Sequence, residues 1–280
     1  MKISRIIIGV LLLALLALGY YQRAKIRDFI DDLNKPTLPT ETTVDEPAPS
    51  TSKPIYKVTD TEDSSASSNK KEPQPSEGED GTPETTSLKS EVNLAVPFAS
   101  QAPHANWDYP YQEACEEATI IMVNAFFKGQ TLTPDLADAA IIKLVAWENE
   151  HFGYYKDTSA TETQKMLNEY FALANTKIIK LTSQEDFLAL VKEQLSQGKL
   201  IVVPAAGQQL FNPNFKAPGP LYHMLVIKGF TKDGKIITND PGTRKGHNYV
   251  YTLETLFNAV HDWNDGNVNE GAKVVIIVAK

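Results

Sequence analysis

The chain has 280 residues, a single cysteine and five histidines, and a net charge of −8. One cysteine excludes an intramolecular disulfide framework and any multi-thiolate zinc site, so packing must hold the fold together. The acidic balance, with no basic run in the globular part, excludes the footprint of a phosphate-backbone binder; nucleic acid is not an expected partner, and no cofactor or metal is called for.

The chain opens "MKISRIIIGVLLLALLALGYYQRAK", two early cations followed by an apolar and aromatic run from Ile6 to Tyr21. Residues 1–25 therefore read as an export signal or a membrane anchor. Ala17 and Gly19 offer small residues for cleavage, whereas the bulky Tyr20 and Tyr21 and the cations after them favour an uncleaved anchor. Either way, the remainder of the chain is expected outside the cytoplasm, held at the cell membrane or secreted.

Residues 26–92 are rich in Pro, Ser, Thr and acids, with 12 acidic against 5 basic residues over 36–94. Too little apolar surface is present to offset the entropy of ordering, so this stretch reads as a disordered, extended tether. From residue 93 to Lys280 the composition is globular and predicts one domain.

Its first half predicts helices. Ala118, Ile121, Met122, Ala125 and Phe126 share one face of a helix that Gly129 ends. Thr133, ahead of Pro134 and Asp135, caps a second, running to about Asn149. Ser159 and Glu162 form a capping box for a third, and Ser183 starts a fourth that stops at Gly198. The second half predicts strands: "KLIVVPAAG", "YHMLVIKGF", "KIITND", "NYVYT" and "AKVVIIVAK" are apolar or β-branched runs separated by Gly, Pro and Asp. Helices first and an antiparallel sheet afterwards make the domain α+β.

Cys115 leads the stripe that the first helix buries, so it points inward at a helix start, where unsatisfied N–H groups favour a thiolate. Glu113, Glu116 and Glu117 oppose that, and a small buried core residue is the other reading of a lone cysteine. Among the histidines, only His223 lies inside an apolar strand, where an imidazole needs a partner. Asp240 ends the next strand and could take a ring N–H of His223 if the register permits. A tight Asp233-Gly234 turn puts Asp240 across from Ile227, out of reach; a longer loop or a bulge brings it to His223. Asn239 points to the other face and is the alternative if the ladder is shifted by one. Oxyanion donors would be the Cys115 N–H and a side-chain amide, from Gln101 or Gln112.

Cysteine, then histidine at the head of a strand, then aspartate before Pro-Gly resembles the papain-like cysteine peptidases. "VPFASQAPHANWDYPYQEACEEATIIM" with "YHMLVIKGF" and "NDPG" is similar to their double-glycine-leader (bacteriocin-processing) peptidase-like branch. The resemblance implies a papain-like fold with the nucleophile at a helix N-terminus packed on the sheet. It also implies Cys115 as nucleophile, His223 as general base, Asp240 as orienting group, Gln101 as oxyanion amide, and a peptide or protein substrate. The chain departs from the branch in having Ala114, Cys115 and Glu116 where Asp-Cys-Gly is usual, and in lacking a transporter segment, so a leader-peptide substrate is not implied. The same triad serves acyl transfer, and the same fold can act as a silent peptide- or cell-wall-binding module.

Overall fold

The computed structural model describes residues 23, 26, 36–43 and 88–280. The chain divides into two compact units, residues 1–38 and 39–280. The expected signal or anchor, residues 1–25, falls outside the described residues except for Arg23, as does the tether from 44 to 87. Among the described residues no helix is long and apolar enough to cross a membrane.

The predicted helix signals are all used. Helix α1 is Cys115–Phe127, with Gly129 at φ +62° beyond its end. Helix α2, Pro134–His151, starts where the Thr133 side chain accepts from Leu136 N–H. Helix α3, Ala160–Lys165, carries the complete capping box of Ser159 and Glu162 and runs on into a π-helical turn, Met166–Tyr170. Helix α4, Gln184–Ser196, is capped by Ser183. A short α5, Leu253–Ala259, has Thr252 as its cap.

The strands are β1 Val92–Asn93, β2 Thr176–Lys180, β3 Leu200–Ala206, β4 Tyr222–Phe230, β5 Ile236–Asn239, β6 Tyr249–Tyr251 and β7 Val274–Val278. They form one sheet in the order β2-β7-β3-β4-β5-β6, with β1 added on β4, and each of these strand pairs is antiparallel. Every residue of β3, β4, β5 and β7 is buried, which is why these runs are almost continuously apolar rather than alternating. Helix α1 packs on β4, and one turn past Cys115 the Thr119 hydroxyl donates to Met224 O at 3.0 Å. That bond pins the start of α1 beside the first residues of β4. The expected α+β architecture, with Cys115 opening a helix that lies on the sheet, is therefore the one observed.

The tether expectation needs correction at its edges. Residues 39–43 lie against the domain instead of standing free. Thr42 N–H donates to Asn93 O at 2.8 Å, Ala95 N–H donates to Thr42 O at 2.9 Å, and Thr42 bridges Leu94 in parallel. The Asn93 side chain donates to Pro39 O at 3.0 Å. The second unit thus starts at Pro39, and among the described residues its first strand at Val92.

Candidate active site

The register that decides whether His223 meets Asp240 departs from a tight turn in two places. The β4–β5 hairpin closes through Thr231 N–H to Lys235 O, leaving a three-residue loop with Gly234 at φ +78°. A bulge at Lys228 then absorbs one more residue, so the pairing runs Phe230↔Ile236, Gly229↔Ile237, Ile227↔Thr238, Val226↔Asn239. Continued one step, Asp240 lies opposite Leu225, diagonal to His223 and on the same face of the sheet.

His223 Nε2 and Asp240 Oδ1 are 2.8 Å apart, with both side chains at 1% exposure or less. A carboxylate only accepts, so the ring is protonated at Nε2 and Nδ1 is left as the acceptor. Asp240 is satisfied on both oxygens. Oδ1 also accepts Gly242 N–H at 3.0 Å, and Oδ2 accepts the Tyr251 hydroxyl at 2.6 Å and the Asn212 amide at 3.1 Å. Burial alone would push this carboxyl up. The His223 ring, the Tyr251 hydroxyl and the Gly242 N–H outweigh burial and hold it below the ordinary carboxylate range. Gly242 is required here, since a Cβ on it would stand 2.8 Å from His223 Cε1 and 2.9 Å from the Phe215 ring. The Pro-rich segment before β4 borders the imidazole: Phe215 meets it edge to face at 5.2 Å. Asn239, the alternative partner, points away and donates to Val96 O at 3.0 Å, while its Oδ1 accepts Asn248 N–H.

The helix side of the site is built differently. Cys115 is the first residue of α1 and is 7% exposed. Its thiol donates to Glu116 Oε2 at 2.9 Å, and Glu116 Oε1 accepts Thr158 N–H at 3.1 Å. Among the described residues, no hydrogen bond joins the sulfur to the imidazole. Burial pushes the thiol well up; Glu116, by charge and by hydrogen bond, and Glu117 push it further, against a backbone N–H of Met224 that favours the thiolate. The helix-start stabilisation expected from sequence is thus outweighed by burial and the acidic neighbours. Glu117 and Glu148 face each other fully buried, and none of their four oxygens accepts from a donor. Two such carboxyls cannot both be ionised, and a proton on one of them can bridge the pair. Burial lifts Glu148 to about 9 and raises Glu116 and Glu117 well above the usual range.

Gln101 is 4% exposed, and its amide Nε2 donates to Tyr111 O at 3.0 Å and to Gln112 O at 3.2 Å. Both carbonyls belong to the short 3-10 turn, Tyr111–Glu113, that leads into Cys115. Gln101 therefore clamps the turn that leads into Cys115, using both amide hydrogens to do so. The Gln112 side chain is exposed; only its backbone carbonyl takes part.

A cleft of about 600 Å³ opens beside these groups, lined by Phe98, Trp107, Leu132, Asn214, Thr243 and Arg244 among others. Ser100 and Ala102, which flank Gln101, and Thr243, which comes directly after Gly242, also line it, so it shares walls with the site. Trp107 is a cleft aromatic, whereas Trp147 stacks on His151 and Trp263 packs on Tyr222. The remaining histidines make separate contacts: His104 with Asp135, His247 with Glu41, and His261 with Gly271 O. Among the described residues, no group of three or more His, Cys, Asp or Glu side chains is arranged to hold a metal ion.

The model of the Peptidase_C39 like family matches residues 93–266. No curated protein sequence matches the chain. Among solved structures, the chain is similar to one described as a putative C39-like peptidase from Bacillus anthracis, at 16% identity and a TM-score of 0.38, over 68% of this chain and 98% of that one. It is also similar to two structures from Prevotella intermedia. One is a prointerpain A fragment, at 15% identity and a TM-score of 0.34 over 61% of this chain and 48% of that one. The other is active wild-type interpain A cysteine protease, at 16% and 0.31 over 56% and 62%.

Proposed function

The chain belongs to the Peptidase_C39 like family, and from that premise we propose that it is a cysteine peptidase of the extracytoplasmic face, tethered through residues 1–25, with Cys115, His223 and Asp240 as its triad. The observation that carries the reading is the buried His223–Asp240 pair at 2.8 Å, which fixes the ring with Nε2 protonated and Nδ1 free to take a proton. Thr119 and Met224 support the partnership by holding the start of α1 to the strand that carries His223.

In the reaction, the Cys115 thiol turns from Glu116 towards the imidazole, and Nδ1 takes its proton. The sulfur attacks the peptide carbonyl carbon, and the oxyanion is met by the Cys115 N–H and by Gln101 Nε2. Gln101 can serve if it releases its longer bond, to Gln112 O. The imidazolium returns the proton to the leaving amine, giving a thioester. Water, deprotonated by Nδ1, then attacks the thioester, and the acid and the thiol are released. Asp240 keeps the imidazolium oriented and paired throughout. The substrate is a peptide or protein chain lying in the cleft between the Gln101 and Gly242 walls.

A second reading has its own observation: the thiol rests on a carboxylate and is held neutral, as a catalytically silent peptide-binding module would tolerate. A fluorogenic peptide pool separates the two. The peptidase hydrolyses it, and Cys115→Ala and His223→Ala do not. If the wild-type protein leaves the pool intact and its thiol stays inert to iodoacetamide at all pH values, the binding module replaces the peptidase. Ping-pong kinetics with an added amine acceptor, with amide formed in place of the free acid, marks acyl transfer instead of hydrolysis.

A further inference from the structure

Lys228, the bulged residue of β4, is fully buried in a central strand of the sheet. An unpaired ammonium there would be strongly destabilising. It is not unpaired. Its Nζ donates to Glu41 Oε1, to Asn93 Oδ1 at 2.9 Å and to Asn248 Oδ1 at 2.6 Å, so three N–H groups meet three acceptors. Of these three acceptors Glu41 alone is an anion, and it comes from 187 residues earlier in the chain, on the segment that bridges Leu94. The same Glu41 oxygen accepts the Asn248 side-chain amide at 3.1 Å, and His247 Nε2 lies 3.4 Å from it.

The cage reaches the candidate triad by two routes. Lys228 is the extra residue that shifts the β4–β5 register, and that shift helps bring Asp240 level with Leu225 instead of Ile227. Asn248 holds the far end of the loop after Asp240. Its backbone N–H donates to Asn239 Oδ1 at 3.2 Å, and in the same loop Asp240 N–H donates to Gly246 O at 3.0 Å. The bulge and the loop thus flank the Asp240 backbone, and both are tied to Glu41.

We propose that residues 39–43 form a strap whose Glu41, by closing the ammonium cage on Lys228 and Asn248, is a positioning residue for Asp240. The strap is accordingly part of the active domain. The proposal rests on the reading of Asp240 as the group that orients His223.

The test uses the full-length chain as wild type, Glu41→Gln, and the double variant Glu41→Gln/Lys228→Met. In each, thermal unfolding, peptide hydrolysis and the NMR titration of the His223 ring are followed, with the ring signal assigned through His223→Gln. Glu41→Gln leaves a buried ammonium without its anion, so its Tm falls by several degrees. In the double variant the buried charge is gone and most of the Tm returns. Positioning does not return with it: kcat stays about tenfold down with KM within about twofold, and the His223 midpoint stays displaced from wild type by about half a unit or more. Recovery of kcat and of the His223 midpoint together with Tm would overturn the proposal, because the strap would then be stability alone. A double variant as unstable as Glu41→Gln overturns the charge cage. If the wild type hydrolyses nothing, the peptidase reading fails; the His223 midpoint still decides the strap, supporting it when displaced in both variants and sinking it when unmoved.

Discussion

The two halves of the site are buried to the same degree and tuned in opposite directions. On the sheet side Asp240 is 0% exposed and stays charged; on the helix side Glu117 and Glu148 are both 0% exposed and are pushed towards the neutral form, and burial with the acidic neighbours pushes the Cys115 thiol the same way. Burial is therefore not what sets the charge. Asp240 faces four donors, from His223, Gly242, Tyr251 and Asn212, whereas Glu117 and Glu148 face each other. A carboxyl in the interior ionises where donors converge on it and keeps its proton where only acceptors do. The site thus stores a fixed negative charge behind the imidazole and a neutral, acid-rich wall behind the thiol.

The hardest way to break this contrast is to remove the charge on the sheet side. Asp240→Asn keeps the shape but loses the carboxylate, so hydrolysis by wild type and variant should differ by about 10³-fold or more; a loss under about tenfold would remove Asp240 from the triad.

Next comes the helix-side wall. Glu148 has its folded pKa raised to about 9 from 4.5, so its favourable contribution is fully present below about pH 4.5 and is lost as pH rises towards 9. Glu148→Gln should be close to wild type in stability near pH 4.5 and more stable by ~2 kcal/mol near pH 9, several degrees in Tm. Parallel Tm–pH curves for the two proteins would show that the pair does not titrate in this range.

A gentler change lies at the thiol itself. Glu116 raises Cys115 by charge and hydrogen bond, second only to burial. With Glu116→Gln the midpoint of iodoacetamide alkylation should move down by about one pH unit; an unchanged midpoint would leave burial as the sole cause. The smallest effect is expected of Tyr251→Phe, which takes one of four donors from Asp240. A few-fold loss of hydrolysis, with ~1 kcal/mol of stability, is the outcome a shared network predicts. A loss as large as that of Asp240→Asn would show that Tyr251 is indispensable to the carboxylate.

Much of this architecture is readable in the chain. The caps Thr133, Ser159 with Glu162, and Ser183 all work as their residue types demand, and the apolar runs are strands because the sheet is covered on both faces. Cys115, His223 and Asp240 stand out as polar or reactive groups set into apolar elements. The register is legible only as a choice, since neither the Gly234 loop nor the Lys228 bulge has a signature that excludes a tight Asp-Gly turn. Strand β2 escapes a sequence reading: "TKIIK" is a short edge strand, paired with β7 alone among the described strands. Helix α5 escapes it because its seven residues show barely two turns of periodicity. The occupied hydrogens of Gln101 and the facing of Glu117 with Glu148 are tertiary facts with no local signal. The strap is hidden most completely. Its composition is that of the tether, and its value lies in a lysine far downstream.

That separation has a consequence for how the protein comes into being. Glu41 is synthesised early, but the lysine it neutralises comes 187 residues later and Asn248 comes 207 residues later. At about 5–20 residues per second, the strap waits roughly ten to forty seconds for its socket. Asp240 is made between Lys228 and Asn248, so the socket is not complete until the carboxylate that holds His223 has also been made. The first piece of the domain to be synthesised is among the last to find its place, and the His223–Asp240 pair closes as the domain nears completion.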